Sequence, residues 1–92
     1  MKVFVVTYDL NRPGQNYPKL SAALKDSPYW WHYLTSTWLI ATNETADQLW
    51  DRISSTVDKS DEVLVIRVCA ESQGWLSKEA WDWINKHVTN RC

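Results

Sequence analysis

Ninety-two residues, 45% of them apolar, with ten basic and eleven acidic side chains and a net charge of −1, fit one small domain near the lower size at which a single core suffices. The near-neutral balance excludes a general affinity for nucleic acid or anionic membrane, so any polyanion site must be local. No apolar run reaches the length of a membrane span, and the first one stops at Asp9, too short for a signal-peptide core.

The two cysteines, Cys69 inside an apolar run and Cys92 at the last position, belong to no C-x-x-C pair and no ligand-spaced Cys/His set, which makes a reducing cytoplasm the expected compartment. Seven tryptophans, at positions 30, 31, 38, 50, 75, 81 and 83, are far more than so short a chain needs for ordinary packing. Each buries a large apolar area and needs a partner for its indole N–H, so they serve a core, an interface or a stacking surface for bases; core plus dimer interface is the plainest use.

Lys2 to Asn11 is a β-branched and aromatic run that reads as a strand ending in the carboxylate of Asp9. An acid at a strand exit is either a metal ligand or a turn-former, and the residues alone leave both open. Asn11 to Asn16, with Pro13-Gly14 at its centre, is a loop. Pro18 suits a first helical turn, and Tyr17, Leu20 and Leu24 with Ala23 make one apolar stripe, predicting a helix from Tyr17 to Asp26 that Ser27-Pro28 ends.

From Trp30 to Thr42 the pattern is aromatic and β-branched with a break around Leu34-Thr35-Ser36, which predicts a two-stranded hairpin carrying His32 on its first strand. Thr45-Ala46-Asp47-Gln48 matches a capping box, and Ala46, Leu49, Trp50, Ile53 and Val57 follow at helical spacing, predicting a helix from Thr45 to Val57. Asp58 to Asp61 is a polar, solvated turn. Glu62 to Ala70 then reads as a strand whose apolar centre, Val63-Leu64-Val65-Ile66, resembles a central strand covered on both faces. After Gly74 and Ser77 a last helix carries Ala80, Trp81, Ile84 and Val88 as its stripe, with Trp83 pointing elsewhere and His87 without a ligand-spaced partner.

The order β-α-β-β-α-β plus a C-terminal helix predicts an α+β, ferredoxin-like sandwich forming a single domain over residues 1–92. Both helices of that arrangement cover one sheet face. The other face needs a cover of its own, which a second subunit, the C-terminal helix, or both would provide.

Val5-Val6-Thr7-Tyr8-Asp9-Leu10, the stretch Trp31 to Leu39, and Asp61 to Ile66 resemble the small bacterial and phage proteins called the "SinR family", distinct from the helix-turn-helix repressor of that name and similar to the CRISPR-associated Cas-two adaptation nucleases. That resemblance implies a symmetric homodimer in which Asp9 faces its twofold mate and the pair holds magnesium or manganese. One carboxylate per chain is a poor site for a hard cation, whereas two carboxylates with water and a phosphate oxygen complete its oxygen shell. Tyr8, Asn11, Arg12, His32 and Ser36 are then the candidate substrate contacts around a catalytic Asp9. The chain departs from the family in its first helix, which offers only Lys19 and Lys25 to steer phosphate, with Arg12 alone in the loop before it. His32 among aromatics also reads as a hydrogen-bonded structural histidine, and Asn11 and Arg12 as plain loop residues.

Two functions follow as expectations. One is a metal-dependent phosphodiesterase acting on RNA or DNA as a homodimer. The other is a non-catalytic dimeric module of the same fold that binds a protein through its tryptophan-rich surface.

Overall fold

The computed structural model describes residues 1–11 and 17–91. Its elements run β1 (Lys2–Asp9), α1 (Pro18–Lys25), β2 (Tyr29–Leu34), β3 (Thr37–Thr42), α2 (Ala46–Ile53), a 3-10 turn (Ser54–Thr56), β4 (Glu62–Val68) and α3 (Lys78–His87). The four strands form one antiparallel sheet in the order β2-β3-β1-β4. This is the ferredoxin-like α+β arrangement with the added C-terminal helix.

Each helix starts where its sequence supplies a device for the unpaired N–H groups of a first turn. Pro18 opens α1 with a missing N–H and a helical φ, and there is no side-chain cap. At α2 the Thr45 hydroxyl accepts from the Gln48 N–H at 3.2 Å while the Thr45 N–H donates to Gln48 Oε1 at 2.9 Å, so the capping box forms as expected. Ser77 caps α3 by accepting from the Ala80 N–H at 3.3 Å. α2 itself ends at Ile53 and tightens into the 3-10 turn, rather than continuing as α-helix to Val57.

Strand alternation divides the apolar side chains into two cores. Phe4 and Val6 of β1, Trp38 and Ile40 of β3, Leu20 and Leu24 of α1, and Leu49 and Ile53 of α2 form the core on the face covered by the two crossover helices. Fully burying each such side chain contributes roughly 1.5–3 kcal/mol, so this layer carries most of the apolar stabilisation. On the opposite face Val3, Trp31, Leu39 and Ala41 pack beneath Ala80 and Ile84 of α3. Trp83 joins that second cluster and rests against His87 at 4.4 Å between ring centroids, instead of pointing away.

The register corrects the reading of β4. It pairs only with β1, so it is an edge strand, and its run of aliphatic residues is not covered on both faces. Val63 and Val65 turn inward against the helix-side core, while Leu64 and Ile66 are 52% and 51% exposed. The strand also closes at Val68 rather than reaching Ala70.

Arg52 joins the two helical halves. It donates Nε to Glu44 Oε2 at 3.0 Å, one terminal nitrogen to Glu44 Oε1 at 2.8 Å and Ser27 Oγ at 2.9 Å, and the other to the Ala23 carbonyl at the end of α1. This bidentate guanidinium holds the Glu44 carboxyl below its ordinary range, against the opposing effect of partial burial. No helix among the described residues is long and apolar enough to cross a membrane.

Candidate functional site

The end of the sheet at which β1 stops gathers the sequence-predicted residues but sorts them onto opposite faces. Asp9 is exposed and lies directly across from Glu62 in the β1–β4 ladder, with Thr7 opposite Leu64 one step inward. These four belong to the face away from α1 and α2. They border a shallow depression of about 290 Å³ lined also by Tyr8 and Val63. On the β3 side Thr7 pairs with Thr37, their hydroxyls 3.1 Å apart, and the Thr7 hydroxyl donates to the Ser36 carbonyl at 3.2 Å. Ser36 is therefore adjacent to the Asp9 corner, held there through its main chain.

Tyr8, one residue before Asp9, falls on the helix-side face and is partly buried against that core. Its hydroxyl accepts the indole N–H of the fully buried Trp38 at 3.0 Å. His32 lies on the same face, stacked on the Trp38 ring at 3.9 Å with a 12° interplanar angle, and bonds the Thr35 carbonyl at 3.1 Å. A carbonyl only accepts, so Nε2 carries the proton in that contact. Trp38 thus ties both side chains into the hairpin, on the face opposite Asp9.

The turn-forming role left open for Asp9 is filled by Asp61. Its Oδ1 accepts the Asn11 N–H at 2.8 Å and the Tyr17 hydroxyl at 3.4 Å, and its Oδ2 accepts the Asp58 N–H at 3.0 Å. One carboxylate therefore fastens the end of β1, the start of α1 and the turn before β4. Asp61 is not the freely solvated acid that its polar neighbours imply. Asn11 is used here through its main chain, and Arg12 lies outside the described residues.

With that task done elsewhere, the Asp9 carboxylate makes no hydrogen bond or ion pair among the described residues, and its cross-strand neighbour is another acid. Like charges directly opposite in a ladder are destabilising, and a cation between them would relieve the repulsion. Among the described residues, however, no three His, Cys, Asp or Glu side chains converge as a metal-binding group within the chain. Glu62 was hidden from sequence reasoning because only the β1–β4 register brings it beside a residue 53 positions earlier.

The tryptophans divide by environment. Trp31 and Trp38 are core, each with a satisfied indole N–H, that of Trp31 donating to the Ala80 carbonyl at 3.1 Å. Trp30 and Trp50 are 40% exposed, and Trp75 is wholly exposed. Along the β2 edge Tyr29, Tyr33 and Leu34 are each about half exposed, and Lys25 Nζ sits 5.2 Å above the Trp30 ring. No protein-family model, curated protein or solved structure matches the chain.

Proposed function

We propose that the chain acts as a symmetric homodimer and hydrolyses phosphodiesters of RNA or DNA, using magnesium or manganese held between the two Asp9 carboxylates. The observation that carries this reading is the exposed Asp9 carboxylate, without a hydrogen bond among the described residues, set against Glu62 on the uncovered face. The metal would lower the pKa of a bound water and offset charge on the phosphodiester. Asp9 supplies a ligand, Glu62 adds negative potential, and the Thr7 and Thr37 hydroxyls fix the neighbouring surface. Tyr8 and His32 take no part, since their polar atoms serve Trp38 and the hairpin.

Strand geometry selects the mode of dimerisation this mechanism needs. If two copies joined edge to edge along β4, at least three strand spacings would separate the two β1 strands, roughly 14 Å in any register. Two carboxylates sharing a cation with oxygen ligands at about 2.1 Å must come within a few ångströms of each other. Edge pairing is thereby incompatible with a shared metal. Face-to-face packing through Thr7, Leu64 and Ile66 remains, and α3 leaves that corner clear because its cluster lies around Val3, Ala41 and Trp31.

The test is cleavage of single-stranded RNA and duplex DNA with magnesium or manganese, with and without chelator, by wild type and Asp9→Asn. The expected outcome is metal-dependent cleavage that Asp9→Asn reduces to the chelated background while sedimentation still finds a dimer. Cleavage by Asp9→Asn at the wild-type rate sinks the mechanism.

A second reading has its own observation. The β2 edge presents Tyr29, Trp30, Tyr33 and Leu34, aromatic and aliphatic, with no Asp, Glu, Lys or Arg within the strand to guard it. That edge fits a non-catalytic module that binds a protein partner. Absence of wild-type cleavage, with a dimer intact, favours this alternative.

A further inference from the structure

The strand exit of β4 and the segment after α3 are fastened together. Ala70 N–H donates to the Asn90 carbonyl at 2.6 Å, the Asn90 side chain donates to the Met1 carbonyl at 3.4 Å, and Asn90 and Arg91 line one depression with Arg67, Val68 and Cys69. Cys69 is disulfide-bonded, and the one other cysteine in the sequence is Cys92, which lies outside the described residues. The Cys69 bond removes the argument for a reducing compartment that rests on cysteine usage.

Between these fastenings lies α3, a helix of ten residues. It is the cover for Val3, Trp31, Leu39 and Ala41, which are buried beneath Ala80 and Ile84. From β2 it receives one side-chain hydrogen bond, Trp31 Nε1 to the Ala80 carbonyl. So short a helix has little stability of its own, so its position depends on this packing and on the ties at either end.

We propose that the disulfide at Cys69 is a redox latch that keeps α3 seated on the sheet. A dithiol reductant opens it by thiolate attack on one sulfur and displacement by its second thiolate. Two electrons and two protons pass to the protein, giving two thiols, while the reagent closes to its own disulfide. The main-chain and apolar contacts of α3 persist, but the chain that carries it is no longer a closed loop. Closing a loop of about 20 residues restricts the undocked ensemble by roughly two orders of magnitude. In the reduced protein the cover therefore opens far more often. Each opening exposes an apolar surface that continues into Leu64 and Ile66. The latch is independent of the phosphodiesterase reading, since Asp9 and Glu62 lie at the other end of β1.

The experiment compares amide hydrogen exchange of the full chain before and after reduction by dithiothreitol, with thiol content read by mass. Expected is a protein that carries a disulfide when purified in air. On reduction the α3 amides should lose roughly two orders of magnitude of protection, while the α2 amides stay protected. Cys69→Ser should exchange like reduced wild type and ignore the reductant. Three results overturn the proposal: two free thiols in the air-purified protein, unchanged α3 exchange after complete reduction, or equal loss of protection in α2 and α3. The last would make the bond a global staple rather than a latch.

Discussion

The two faces of this sheet are built from the same strands and are finished differently. On one, two crossover helices seal Phe4, Val6, Trp38 and Ile40 completely. On the other, α3 seals only the part around Val3, Leu39 and Ala41, and the strip of β4 beyond it stays half open. Apolar content alone does not separate the faces, because β1 and β4 are aliphatic on both. What separates them is how much helix packs on each. One helix of ten residues covers less width than two crossover helices, and the shortfall falls beside Asp9.

If this contrast is right, the largest destabilisation belongs to the sealed face. Trp38→Ala removes the largest fully buried side chain and orphans its bond to Tyr8, so chemical denaturation should show a loss of about 3–5 kcal/mol. A loss below 1 kcal/mol would mean that the helix-side core is far looser than its burial implies.

The open strip should respond more in association than in folding. Replacing Leu64 and Ile66 together by serine should cost the protomer only about 1–2 kcal/mol, for the half of each side chain that the fold already buries. A twofold contact would bury four such side chains at roughly 1 kcal/mol each for the half still exposed. The dissociation constant should then rise by about two to three orders of magnitude. Sedimentation that finds the same dimer in the double variant would place the contact elsewhere.

The α3-covered part is expected to fall between these extremes. Ile84→Ala should cost about 2 kcal/mol, the low end for a buried isoleucine because the site lies at the rim of its cluster. A milder probe of the same seam is pH. Burial, and then the charge of Lys86, hold His87 below its ordinary pKa, so the folded state binds fewer protons than the unfolded one. Its contribution is complete above the unfolded value and is lost as pH falls, from about 6.5 downward. Titration of His87 by NMR should report the depressed value, and Tyr29→Ala, which uncovers one side of the ring, should move it back upward.

Much of the architecture is legible in the residues because the period of the pattern changes at each element. The capping box at Thr45, the proline at position 18 and the break at Leu34-Thr35-Ser36 all mark real boundaries. β4 is different. Leu64 and Ile66 are apolar on its uncovered side, so the alternation that betrays an edge strand is absent. The candidate site was legible only in part, since Asp9 announces itself as a strand-end acid whereas Glu62 joins it only through register. The exchange of roles between Asp9 and Asp61 is likewise tertiary: nothing local tells which of two aspartates will receive the Asn11 amide. Tyr8 is drawn toward the site by sequence proximity and His32 by the family resemblance, and strand alternation puts both side chains on the face opposite Asp9.

Arg52 has a consequence for the order of events in folding. Its partners Glu44, Ser27 and Ala23 lie 8, 25 and 29 residues away, in segments that come together only when α1 and α2 have docked side by side. A contact of that kind is expected to form late, after the transition state. Arg52→Met, which keeps the stem and removes the fork, should speed unfolding while leaving the refolding rate nearly unchanged. In a stopped-flow chevron the unfolding arm would shift and the folding arm would overlay the wild type. The guanidinium would then set how long the folded chain lasts, with little effect on how quickly it forms.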